Sequence, residues 1–265
     1  VTWVLMASTV LALAVGVGVV LWQLTDKERF YVLLFCCASG SSPLVNLLVK
    51  APVAEVVAAA GSTRAEVTAA SPLWFLVFAL LLPPVSEEAV KALPAFLPRV
   101  RARLARSWLR TGLALGCGFG VGEAGFVGWT MVRADGPGPA VVDLHSFATE
   151  RVFASLGHGV MTAVVLWGFA GRRRRWPLGL LAAVALHTVL NLAAFLDQVT
   201  PLPPPVVGLS FPAGLVLLGG VFALLRRAAN REAAAGPREQ PPADADREIP
   251  PDRPPSERGR LDGRP

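Results

Sequence analysis

The chain has 265 residues, of which 53% are hydrophobic, and a mean hydropathy of +0.52, too apolar for an ordinary water-soluble domain. Its net charge of +6 is carried by arginine clusters between apolar runs, without the interleaved aromatics of a base-stacking platform, which argues against a nucleic-acid partner. Its three cysteines form no CxxC pair, so neither a disulfide framework nor a zinc ribbon is indicated.

Several apolar stretches have the length of about 20 residues that crosses a bilayer as a helix. The pattern predicts an all-α, polytopic membrane bundle of about seven transmembrane helices, at 2–22, 30–49, 72–98, 108–132, 152–171, 177–197 and 206–225. The first run lacks a basic leader and is too long for a signal-peptide core, so it reads as a retained helix. The expected organisation is a transmembrane domain over 1–228 and a disordered cytoplasmic tail over 229–265. That tail is rich in Pro, Arg, Asp and Glu and has too few large apolar residues to fold alone. Arginines at 99–106 and 172–175 mark cytoplasmic linkers, while 133–150 and 198–205 read as external. The protein is therefore expected to be an integral, multi-pass membrane protein with an external N-terminus and a cytoplasmic C-terminus.

The third run carries Pro83-Pro84-Val85-Ser86-Glu87-Glu88-Ala89-Val90-Lys91. The prolines are expected to interrupt the helix just before the carboxylates. An ionisable group at membrane depth costs at least about 2.5 kcal/mol, and three within five residues cost more. Lys91 stands i+4 from Glu87 and i+3 from Glu88, within reach of either. A structural ion pair locking helices together is the plain alternative for this motif. The fourth run contains Phe119-Gly-Val-Gly-Glu123 behind a stripe of Gly112, Gly116 and Gly120, a small-residue face for close helix packing. The fifth carries His158 with Thr162, whose hydroxyl is expected to bond back to the carbonyl of His158. Glu150 and Arg151, at the external end of that helix, read as interfacial. The sixth carries His187 with Asn191, again at i,i+4 and hence on one face. His145 and Asp143 fall in the external linker and read as ordinary solvated loop residues.

Depth ties these motifs together. Glu88 lies 11 residues before Arg99, Glu123 13 after Arg110, His158 14 before Arg172 and His187 12 after Arg175. At the rise of an α-helix these separations are roughly 16–21 Å. Four helices thus place their polar group in one layer near the middle of a core about 30 Å thick. A shared buried site explains that agreement better than chance. Two function classes fit such a layer: a hydrolase with Glu87 or Glu88 as general base, and a proton-coupled transporter or ion relay. No internal repeat supports the transporter.

The ordered set Glu-Glu-x-x-Lys, Phe-x-x-x-Glu, His and His-x-x-x-Asn over about 72–197 resembles the PrsW family of intramembrane proteases, relatives of the CAAX-type and bacteriocin-processing membrane proteases. The resemblance implies peptide-bond hydrolysis within the membrane on a membrane-anchored protein, in this family an anti-sigma factor. By position it implies Glu87, Glu88, Glu123, His158, His187 and Asn191 as the catalytic set. Two mechanisms stay open. In one, a divalent metal such as zinc is held by Glu123, His158 and His187, with Glu87 activating water. In the other the glutamates act without metal, and His187 and Asn191 stabilise the oxyanion. The His-Glu-x-x-His helix of soluble zinc proteases is absent.

Overall fold

A computed structural model describes residues 2–60, 67–134, 141–170 and 175–235, which are helical almost throughout. Helix α1 spans Thr2–Leu24. Helix α2 (Arg29–Val45) passes through a π-helical turn at Asn46–Lys50 into α3 (Ala51–Ala60). Helix α4 (Leu73–Ala92) ends in a 3₁₀ turn at Leu93–Phe96. Then follow α5 (Pro98–Ala134), α6 (Val141–Ala170), α7 (Trp176–Val199) and α8 (Pro204–Ala234). No strand occurs among the described residues. One compact unit covers Val1–Ala229, and a second begins at Asn230. The residues expected to form most of the tail, 236–265, lie outside the described set, as do Arg172–Arg174.

Among the described residues, six helices or helix runs are long and apolar enough to cross a membrane: Thr2–Leu24, Arg29–Ala59, Leu73–Phe96, Leu144–Ala170, Trp176–Val199 and Pro204–Ala234. The expected span at 108–132 lies in α5, which is not among the six. Its glycines contribute little hydropathy, but they let other helices in, and α5 packs on α6, α2 and α1 as the axis of the bundle. Ala114, Leu115, Cys117, Phe119, Val121 and Ala124 are all buried there. Peripheral helices instead turn large apolar side chains outward, for example Val4 on α1, Leu178 on α7 and Val216 on α8. That is the pattern of a surface solvated by lipid.

Three boundaries differ from the sequence reading. The arginine-rich 99–106 stretch is the first part of α5, bent at Ser107 (φ −151°, ψ 35°), rather than a linker. The expected external linker 133–150 is partly helix, because α6 begins at Val141, and exposed His145 stands on it. The second run does not stop at 49 but continues through the π turn to Ala60. Pro83 and Pro84 also fail to interrupt α4, which runs unbroken through both. Proline's fixed φ is helical, so the ring is tolerated where neighbouring helices support the segment. Two ion pairs, Asp26–Arg110 at 2.6 Å and Glu28–Arg103 at 2.5 Å, tie the α1–α2 turn to the beginning of α5.

Candidate active site

The site is built on four helices. Glu87, Glu88 and Lys91 come from α4, Glu123 from α5, His158 from α6 and His187 from α7. Glu87 and Glu88 are 1% and 0% exposed, and Lys91, His158 and His187 are also buried. The contacts are specific. Lys91 Nζ donates to Glu88 Oε1 at 2.5 Å and lies 2.8 Å from His158 Nδ1. His187 Nδ1 meets the same Glu88 oxygen at 2.9 Å. His158 Nε2 lies 3.0 Å from Glu123 Oε2. The two imidazoles stand edge to face at 5.2 Å, and Phe119 closes the other side of His158 at 5.6 Å.

These partners fix ring chemistry. A carboxylate only accepts, so His187 carries its proton on Nδ1 and turns the lone pair of Nε2 inward. An ammonium only donates, so with Lys91 on Nδ1, His158 carries its proton on Nε2 and donates it to Glu123. Glu88 and Lys91 thus orient one histidine each. Glu87 is left with its Oε2 buried and without a hydrogen-bond partner, 4.0 Å from Nε2 of both His158 and His187. A buried carboxylate oxygen without a partner is costly, and here it faces two imidazole nitrogens. Glu87, His158 and His187 offer one ligand atom each within 4.8 Å of one another. Two imidazoles and a carboxylate form the donor set of a catalytic zinc site, so these residues fit a divalent metal once Nε2 of His158 gives up its proton.

Several expectations shift on this geometry. Among the described residues the metal-ready set contains Glu87, whereas Glu123 bonds His158 from outside it. Thr162 does not bond back to His158, since its buried hydroxyl has no partner. Arg151 is drawn toward the site: its side chain is 15% exposed and reaches Glu123 Oε2 at 3.4 Å while pairing with Glu150. Asn191 is not in the hydrogen-bonded cluster. It lines a cavity one helical turn away, between α4 and α7. The side chain of Asp143 is outside the described residues.

Lys50 is the site residue that the sequence reading passes over. It ends the π turn, is 15% exposed, and binds Glu87 Oε1 at 2.7 Å. It holds one oxygen of Glu87 and thereby aims the other at the histidines. Lys50→Met keeps the stem and removes the charge. It is expected to lower activity by about 10–100-fold, the usual cost of losing an orienting partner, with membrane levels unchanged. Wild-type turnover in that variant would show that Glu87 needs no such support.

Helices that bury two imidazoles against paired glutamates in a lipid-facing bundle define a multi-pass membrane protein with an enclosed acid–base and metal-ready centre. Residues 26–225 match the family described as PrsW family intramembrane metalloprotease, and the chain belongs to that family. No curated protein and no solved structure matches it.

Proposed function

We propose that the protein is a metal-dependent intramembrane peptidase that hydrolyses a peptide bond of a membrane-anchored protein, with an anti-sigma factor as the substrate type its family suggests. The observation that carries this reading is the unpartnered Oε2 of Glu87, 4.0 Å from Nε2 of both histidines. Glu87, His158 and His187 would hold the ion, with zinc the best match to an N₂O donor set. Bound there, a divalent metal supplies Lewis acidity for the scissile carbonyl and for water.

The remaining residues have distinct tasks. Glu88 accepts from His187 Nδ1 and keeps that ring in its ligating tautomer. Lys91 holds Glu88 and fixes the ring of His158. Holding an ion at Nε2 of His158 would require its proton to leave by way of Glu123 to water and Nδ1 to take one from Lys91, which would free Glu123 of that hydrogen bond. Glu123 would then be the carboxylate best placed to take a proton from water, because its side chain is 16% exposed while Glu87 and Glu88 are sealed. This exchanges the roles that sequence order suggests for Glu87 and Glu123. In this reading the N-terminus is external and the C-terminus cytoplasmic, and the tail from 229 onward lies outside the peptidase unit.

The test is metal analysis of protein purified from membranes, beside cleavage of a co-expressed single-span reporter. Wild type should contain about one divalent ion per chain and cleave the reporter, and His187→Ala should lose both. An active enzyme free of metal would refute the metal-dependent reading in favour of direct glutamate catalysis.

A further inference from the structure

The α4–α7 gap holds a cavity of about 240 Å³ lined by Val67, Ala79, Leu80, Pro83, Asn191, Ala194, Phe195 and Gln198. Its position is set by helical spacing. Pro83 is i−4 from Glu87 and Asn191 is i+4 from His187, so both wall residues lie one turn from the metal-ready cluster, on the faces that carry it. The helices run antiparallel here, and both offsets point toward the Leu73 end of α4 and the Val199 end of α7.

The prolines give this wall its chemistry. In a regular helix the N–H of residue 83 would bond the carbonyl of Ala79, and that of residue 84 the carbonyl of Leu80. Proline has no N–H, so neither bond exists. α4 nevertheless continues through both prolines, and the two residues whose carbonyls lose that donor are the two from this turn that line the cavity. Backbone acceptors without their helical donors are tolerated at membrane depth where they line a protected space. The remaining wall is apolar except for Asn191 and Gln198.

We infer that this cavity is the substrate subsite beside the scissile bond. An unwound segment of a membrane-anchored polypeptide places an apolar side chain between α4 and α7, and its main-chain N–H groups donate to the carbonyls of Ala79 and Leu80. An extended strand has the donors these carbonyls need, whereas a helical substrate has already used its own. Asn191 stands where it can meet a substrate carbonyl. The inference rests on the peptidase reading for its meaning but makes a separate claim about binding.

The experiment uses the full chain in lipid vesicles, with Glu87→Gln as the inactive background. The probe is a fluorescent single-span Leu/Ala peptide with a central Gly-Ser-Gly. Ala194→Trp fills the cavity, and Leu181→Trp, on the exposed face of the same helix, serves as control. Binding should weaken at least about 10-fold in the first and stay unchanged in the second. Pro83→Ala restores the donor to Ala79. It should raise thermal stability yet weaken peptide binding several-fold, a combination that a purely structural role for proline does not produce. Binding insensitive to Ala194→Trp, or no binding, overturns the subsite. Binding insensitive to Pro83→Ala overturns the role of the carbonyls. Cavity-dependent binding without cleavage by the wild-type chain supports the subsite and removes the peptidase reading instead.

Discussion

Glu87→Gln and Glu123→Gln are expected both to abolish cleavage, but only the first to empty the metal site. Glu87 supplies an oxygen to the set with His158 and His187, and a carboxamide is a poor replacement for an anionic ligand. Glu123 touches the set only through His158. Its removal should leave metal content near wild type while cutting cleavage by about 10²–10⁴-fold, the range for loss of a general base. Elemental analysis and a reporter assay on the same preparations separate the two. Loss of metal in Glu123→Gln with retention in Glu87→Gln would return the roles to those that sequence order suggests.

The second large effect concerns α5. A β-carbon added at Gly116 would collide with the carbonyl of His158, and one at Gly112 with the backbone of Ala163. On another face, Gly118 and Gly122 meet the carbonyls of Phe35 and Ser39 on α2. The obstacle in each case is main chain, which cannot rotate away. Gly116→Ala should therefore cost at least about 1–3 kcal/mol, and because α6 is pushed back at His158, activity should fall further than stability. Gly16→Ala on α1 is the control. Nothing lies within 4 Å of a β-carbon there, and alanine is favoured over glycine in a helix by about 1 kcal/mol. Thermal unfolding in detergent should give opposite signs for the two. Equal effects would mean that the α5–α6 approach is looser than the structure indicates.

The sequence made the helices readable because unbroken apolar runs at membrane length admit little else. It also put Glu88, Glu123, His158 and His187 at matching positions along their helices, where the structure brings them together, since counting from arginines measures distance along an axis. Counting says nothing of rotation about that axis. Glu87 and Glu88 differ by a single rise, yet one faces the two Nε2 atoms and Lys50 while the other faces Lys91 and His187 Nδ1. Glu123 sits at a matching position along its helix, but its azimuth puts it behind His158 rather than beside His187. The helical start of α5 was hidden because arginines that mark a membrane boundary are also good helix formers. Lys50 was hidden for another reason: a lysine ending an apolar run reads as a boundary charge.

The π turn at Asn46–Lys50 gives Lys50 a particular origin. Such a turn holds one residue more than a regular helical turn, and the side chain of Asn46 bonds the Ser42 carbonyl at its entrance. Winding these same residues as regular α-helix, with none removed, would swing everything beyond the turn by about 100°, carrying residue 50 off Glu87. The cation beside Glu87 is thus a matter of helical phase. One extra residue in a single turn of an otherwise plain span is enough to bring an electrostatic partner to a site whose other members lie on four different helices.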